Sequence, residues 1–403
     1  MRVKDYLFSV AILTLGMGLG RFLYTGMMPV ILEEGIFDFK ALSYIASSNY
    51  FGYLFGALLF SFSLFHRPQY LKKSLILSVL STALLLFLLS VLTSFPSVLM
   101  IRFLAGISSA AAIIFGAITV LKYFSSSFMT ASFFSGVGLG ILLGNELVNI
   151  ALIKQYTSLQ IWFYISLFAM MIALFIIFCH PKIEVGIYHP NAPINDDYSD
   201  NKESSIAKSD LEVKDPPFKL LQISWVSLII LYGFAGYGYI ITATYLPVIA
   251  QSLPASKLTP HLWSLVGVGA IFSCYFWLYL EKKIGVLSAL FWNLLTQSLF
   301  VLLSIFSDSL WLLVISAFGL GATFMGTTSL VMPLARKLIV PKTLNLVGLV
   351  TLTYGIGQIL GPLVTSVIEA MASSLSLASI SGSIALLIAS LIVLYEKVKW
   401  GIK

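Results

Sequence analysis

Twelve long apolar runs constrain this 403-residue chain more than any other feature. They fall at about 6–32, 41–65, 73–93, 97–121, 128–152, 160–180, 219–250, 260–280, 285–306, 309–335, 343–371 and 376–396. A helix crossing ~30 Å of hydrocarbon needs about 20 such residues. The runs are too long for strands and lack the period of two that a membrane barrel shows. Composition agrees. Apolar residues make up 59% and charged residues only 10%, against roughly 25% charged in soluble domains. A soluble core and a disordered chain are both excluded. The first run, Tyr6 to Leu32, is longer than a signal-peptide core and no small-x-small site follows, so it reads as a retained first helix.

Twelve crossings place both termini on one side, and the positive-inside rule selects the cytoplasmic one. Of the 24 Lys and Arg, only Lys40, Lys154 and Lys257 fall in loops on the opposite side, and Arg21 and Arg102 fall inside helices. The rest gather at the termini side, including Arg67, Lys72, Lys73, Lys282, Lys283, Arg336, Lys337 and Lys342. This bias accounts for the net charge of +7 without a nucleic-acid partner. Cys179 and Cys274 lie in separate runs, and His66, His180, His189 and His261 are scattered, so neither a disulfide framework nor a metal site is expected.

Residues 181–218 differ in kind, being polar, with Asn195-Asp196-Asp197 and Pro216-Pro217. They read as a cytoplasmic linker between six-helix halves at 1–180 and 219–403. The halves look duplicated. Gly18-Leu19-Gly20-Arg21 followed by Pro29-Val30 matches Gly236-Tyr237-Gly238-Tyr239 followed by Pro247-Val248 at an offset of 218. Gly138-x-Gly140-x3-Gly144 matches Gly355-x-Gly357-x3-Gly361, and Gly52 matches Gly269, at an offset of 217. Such parallel repeats belong to transporters whose substrate site lies between halves near the midplane. Gly16-x-Gly18-x-Gly20 is no dinucleotide fingerprint, because no strand precedes it. Gly18, Gly20, Gly140, Gly144, Gly357 and Gly361 read as close helix-packing or gating positions. Gly361-Pro362 adds a bend.

Arg21 is the most informative residue. A guanidinium near the middle of a helix costs at least about 2.5–3.5 kcal/mol in the bilayer. An anionic substrate, a buried carboxylate or a water-filled cavity must compensate it, or it locks helices together. Glu146 is the one clear carboxylate well within a run. It reads either as a proton-coupling group or as a static partner of Arg21 or Arg102. Polar and aromatic residues recur in helix 2 (Asn49, Tyr50, Tyr53), helix 7 (Tyr232, Tyr237, Tyr239, Thr242, Tyr245) and helix 11 (Tyr354, Gln358). The repeat sets Tyr239 where helix 1 has Arg21, and Thr242 where it has Tyr24. Arg21, Tyr24, Asn49, Tyr53, Tyr239, Thr242, Tyr354 and Gln358 together describe a substrate cavity with one cationic pole, suited to a small organic anion or zwitterion. Asn293 and Gln297 share a face of helix 9 and read as structural.

Two six-helix halves around a polar linker resemble the all-α major facilitator superfamily across essentially the whole chain. Arg102-Phe103-Leu104-Ala105-Gly106 is similar to that family's helix 4 motif, whose arginine is implicated in proton transfer, and this pairs Arg102 with Glu146 as proton-coupling candidates. Gly357-x3-Gly361-Pro362 resembles the family's glycine–proline motif. In exporters that motif sits in helix 5, where this chain has Gly140-x3-Gly144-Asn145 without the proline. The loop after helix 2, Leu64 to Lys73, keeps basic residues but lacks the family's aspartate, whereas Glu281-Lys282-Lys283-Ile284-Gly285 is a closer remnant. Gly18-Leu19-Gly20-Arg21-Phe22-x-Tyr24, Asn49-Tyr50-Phe51-Gly52-Tyr53 and Thr242-Ala243-Thr244-Tyr245-Leu246-Pro247 resemble a narrower bacterial branch, the YbfB-like permeases. The resemblance implies a monomeric secondary transporter of the bacterial inner membrane, working by alternating access. Organic-anion or amino-acid uptake coupled to protons leads. Proton-driven efflux of lipophilic compounds and a ligand sensor without turnover are the alternatives. No Walker loop, enzyme cluster or cofactor motif is present in the sequence.

Overall fold

The computed structural model describes residues 3–61, 68–124, 127–181, 223–253, 256–338 and 346–401. The described residues form twelve long helices. They are α1 (Val3–Glu33), α2 (Phe39–Phe60), α3 (Pro68–Leu88), α4 (Phe95–Phe124), α5 (Ser127–Ile153), α6 (Ser158–Cys179), α7 (Trp225–Ile249), α8 (Leu262–Ile284), α9 (Val286–Leu303), α10 (Leu310–Lys337), α11 (Leu346–Ala372) and α12 (Leu375–Lys399). The linker beyond Pro181, Arg67 and Lys342 lie outside the described residues.

Eleven of these helices are long and apolar enough to cross a membrane. The exception is α2, diluted by serines, Asn49 and tyrosines. Two of its side-chain donors bond protein neighbours: Ser48 Oγ donates to the Leu99 carbonyl at 2.8 Å and Asn49 Nδ2 to the Arg102 carbonyl at 2.9 Å. Lipid therefore does not have to solvate these two donors. α3 begins and ends about five residues earlier than its apolar run, and α7 begins six residues later than its own. Val91 and Leu92 are apolar but sit in a turn whose amides bond back to Leu88.

Packing repeats between the halves. In the first, α5 packs on α1, α4 on α2 and α3, and α6 on α3 and α1. In the second, α11 packs on α7, α10 on α8 and α9, and α12 on α9 and α7. The seams between halves are α2 with α11, α5 with α8, and α1 with α7. Equivalent glycines make equivalent crossings. A Cβ on Gly18 would strike the Gly140 backbone, and one on Gly357 the Gly233 carbonyl. Across α1 and α7, Thr25 Oγ1 donates to the Ala243 carbonyl at 3.0 Å and Gln251 Nε2 to Glu33 Oε1 at 2.6 Å. Each pair joins positions 218 apart, so equivalent points of the repeat meet one another, as around a local two-fold axis.

Nine residues of α1, Thr14–Phe22, are wound as a π-helix. Such stretches are rare and gather at functional sites. This one is held by α4, whose Ser109 Oγ donates to the Gly16 carbonyl at 2.6 Å.

Candidate functional site

Arg21 is the penultimate residue of the π stretch, on the inner face of the bundle and only 3% exposed. Its Nη2 donates to Gln358 Oε1 of α11 at 2.7 Å, and Gln358 Nε2 donates to the Tyr239 hydroxyl of α7 at 2.6 Å. The guanidinium carbon lies 4.3 Å from the Tyr53 ring centroid, 4.9 Å from Tyr50 and 5.4 Å from Phe22. Aromatic faces attract a cation most where water is excluded. Among the described residues the only ion pair is His261 with Glu146, so no carboxylate neutralises Arg21, and its Nε has no hydrogen-bond partner.

A ladder of parallel rings extends from this centre toward the termini. Phe324 stacks on Tyr239 at 5.6 Å and 7°, Tyr239 on Tyr354 at 5.7 Å and 12°, and Tyr354 on Tyr232 at 4.2 Å and 15°. Tyr53 and Tyr354 are half-buried while Tyr232 and Tyr239 are buried, so the first two give the site its accessible surface.

Arg102 takes another part. Its Nη1 donates to the Gly20 carbonyl at 3.2 Å and Nη2 to the Arg21 carbonyl at 3.1 Å, with the Tyr24 ring 4.6 Å from its guanidinium carbon. It thus fixes the backbone that carries Arg21. Asn49 and Tyr24 support this arrangement rather than Arg21 itself. Asn49 bonds the Arg102 carbonyl, and the Tyr24 hydroxyl bonds the Leu42 carbonyl at 3.0 Å. Asn49 Oδ1 and the wholly buried Thr242 hydroxyl have no partner among the described residues. Of the expected cavity residues, then, Tyr53, Tyr239, Tyr354 and Gln358 gather with Arg21. Tyr24 and Asn49 gather with Arg102, and Thr242 bonds to neither.

Glu146 is bonded to neither arginine. It lies on the α5–α8 seam, where His261 Nδ1 sits 2.8 Å from its Oε1 and the Ser264 hydroxyl donates to the same oxygen. Its side chain is 32% exposed. Beside it, Asn145 Nδ2 donates to Ser264 Oγ at 2.9 Å and to the Pro260 carbonyl at 2.8 Å, a carbonyl Asn149 also reaches at 2.9 Å.

Bonds between the halves concentrate at the end of the bundle away from the termini. Besides those above, Tyr50 meets Thr244 at 2.9 Å, the Tyr245 hydroxyl donates to Ser43 at 2.6 Å, and Ser47 donates to the Ile359 carbonyl at 3.1 Å. Trp263 donates to the Phe22 carbonyl at 3.2 Å. It also lines a cavity of about 210 Å³ together with Glu33, Asn145, Asn149, Gln251 and Thr259. Toward the termini, Ser132 with Tyr275 at 2.9 Å is the one such side-chain bond among the described residues.

The packing glycines sit at crossings. Gly18 and Gly140 meet each other, Gly20 faces Thr82 and Ser109, Gly144 faces the ends of Leu19 and Leu23, and Gly361 faces Ile240. Pro362 lies inside α11, and its carbonyl accepts from Tyr245 at 3.4 Å. Asn293 and Gln297 are buried against Thr327 in the α9–α10 contact, at 2.5 and 3.3 Å. Sequence reasoning did not select Phe324, Trp263, His261 or Ser264. Phe324 and Trp263 are ordinary aromatics in apolar runs. His261 and Ser264 are more than 110 residues from the glutamate they bind.

The sequence profile of a family described as uncharacterised MFS-type transporter YbfB matches residues 13–394. No curated protein matches the chain. Two solved structures share its fold. One is a mutant of the nucleoside transporter NupG, 15% identical, with a TM-score of 0.67 over 99% of both chains. The other is the POT family transporter PepTSo, 10% identical, with a TM-score of 0.70 over 98% of both chains. At these identities the likeness establishes the all-α twelve-helix fold and nothing of the substrate.

Proposed function

The chain belongs to the YbfB family of MFS-type membrane transporters, and from that premise we propose that it carries a small organic anion through a site built on Arg21. One observation carries the reading. Among the described residues, Arg21 is buried at the centre with no carboxylate partner, an unpartnered Nε, and a single neutral acceptor on its Nη2. A buried charge without a counter-ion is costly, and a substrate carboxylate supplies the missing charge and a second acceptor. The site offers no described carboxylate to a substrate ammonium group, which favours an anion over an amino acid.

The basic residues support an orientation. Lys72, Lys73, Lys282, Lys283, Arg336 and Lys337 stand at the termini end and Lys40, Lys154 and Lys257 at the other, which favours a cytoplasmic location of the termini. The bonds between halves then close the external end. In alternating access the halves rock about Arg21, breaking the Thr25, Tyr50, Tyr245 and Gln251 bonds as the external end opens. Proton coupling is assigned to Glu146 together with His261, which join the halves where those bonds cluster.

A second reading, movement of lipophilic compounds, is favoured by a groove of about 540 Å³ between α7, α11 and α12, lined by Phe234, Tyr237, Ile356, Leu360, Ser381 and Ile384. Counterflow in proteoliposomes separates the readings. Exchange of radiolabelled lactate or benzoate, but not of alanine or tetraphenylphosphonium, is expected. Exchange of tetraphenylphosphonium alone overturns the anion reading in favour of the second. Binding without exchange identifies a sensor.

A further inference from the structure

We infer that Gln358 is a resident stand-in for the transported anion, present so that the carrier can reorient empty. The inference rests on the anion reading above and concerns the state in which no anion is bound. Arg21 belongs to α1 in the first half, and Gln358 to α11 in the second. Their 2.7 Å bond is therefore a bond between halves. Gln358 Oε1 occupies the position on Nη2 that a carboxylate oxygen takes in an Arg–carboxylate pair. The amide is held there from behind, since its Nε2 donates to Tyr239 at 2.6 Å and the side chain is 1% exposed.

The residue type matters. A glutamate at this position would be a permanent counter-ion that a substrate anion must displace against full charge attraction. An aliphatic side chain would leave the guanidinium bare, and the halves would then have to close over an uncompensated charge. A neutral carbonyl lies between these limits. It accepts one charge-assisted hydrogen bond, strong enough to let the empty site close and weak enough to yield to an anion. The fold itself does not require an amide here. At the repeat offset of 217 the equivalent position is Ile141, fully buried and apolar in the same kind of crossing. Gln358 is thus a positioning residue that decides between net transport and obligatory exchange.

The test compares two fluxes in proteoliposomes holding the full-length protein, with radiolabelled lactate and benzoate as probes. Exchange against internal probe needs only the loaded carrier to reorient, whereas net uptake also needs the empty one. Gln358→Leu is expected to slow net uptake roughly 10-fold to 100-fold more than exchange, the factor carried by one charge-assisted hydrogen bond. It should also lower the exchange KM, because nothing has to be displaced. Gln358→Glu is expected to raise the KM of both fluxes. A simple pin between α1 and α11 would instead lower both fluxes in parallel for Gln358→Leu and leave their ratio unchanged, which overturns the inference.

A measurement without any substrate guards against the wrong choice of probe. Spin labels at Lys40→Cys and Lys257→Cys, in a Cys179→Ser background, report the separation of the halves at the external end of the anion-free protein. Wild type is expected to populate both closed and open distances, and Gln358→Leu to lose the closed one. Identical distributions overturn the inference whatever the probes do. If wild type exchanges neither probe while the distributions differ, the stand-in role holds and the choice of anion in the preceding reading falls.

Discussion

Replacing Arg102 by methionine should loosen the backbone under Arg21 without changing how transport responds to pH. The two Nη donors reach the Gly20 and Arg21 carbonyls at 3.2 and 3.1 Å. Methionine fills much of the space and supplies no donor. Polar contacts between membrane helices average about 0.6 kcal/mol and reach about 1.7. Two contacts therefore set a loss of about 1–3 kcal/mol. Relief of the buried guanidinium acts in the opposite direction, which draws the expected value toward the lower half of that range. Reversible unfolding in mixed detergent micelles measures it. Arg102→Lys should recover part of the loss, because an ammonium is a point charge and cannot span both carbonyls as a fork does. Its pH–rate profile should overlay that of wild type. A methionine variant as stable as wild type would refute the backbone-holding role. A shifted profile for Arg102→Lys would return Arg102 to the proton path that its helix 4 motif implies.

Two further outcomes follow from packing and burial. Gly140→Val should abolish folded protein in the membrane, since any Cβ there meets the backbone of α1, whereas Gly144→Ala meets only Leu19 and Leu23 side-chain ends at 3.0 and 3.1 Å and should cost under about 1 kcal/mol; yields of monodisperse protein after extraction compare them. His180, just past α6, packs edge-on against Phe8 at 5.7 Å, and burial pushes its imidazole below the ordinary value. The folded state then binds fewer protons than the unfolded one, so the contribution of His180 is complete above the ordinary histidine range and is lost as pH falls through it. His180→Phe should flatten the decline in melting temperature between about pH 7 and pH 5, and an unchanged slope would remove His180 as its cause.

Much of the architecture was legible because lipid leaves few choices. Hydrophobic runs must be helices, and the offsets of 217 and 218 already pair the glycines that the structure brings to equivalent crossings. Arg21 was legible for the same reason, being too costly to sit in lipid without a task. Tyr239 and Gln358 were legible as polar groups at compatible depth, but not the bond that joins Gln358 to Arg21 across the halves. The π winding of Thr14–Phe22 has no local signal, since it depends on donors from Ser109 and Arg102 more than eighty residues away. Glu146 shows the limit most clearly. Its place in an apolar run left proton coupling and an arginine partner as equal readings, yet its bonds go to His261 and Ser264 on the α5–α8 seam and to no arginine. Which face a residue takes is set by packing between halves, and a single sequence does not carry that information.

The central claim is that Arg21 binds the transported anion. Thermal unfolding of purified wild type and Arg21→Gln, each with and without lactate or benzoate, tests it most directly. At 100 times its Kd a bound ligand adds about 2.7 kcal/mol of stability. An anion is expected to raise the melting temperature of wild type and to leave Arg21→Gln unmoved. Equal anion-induced shifts in both proteins would contradict it and leave Arg21 as a structural pin.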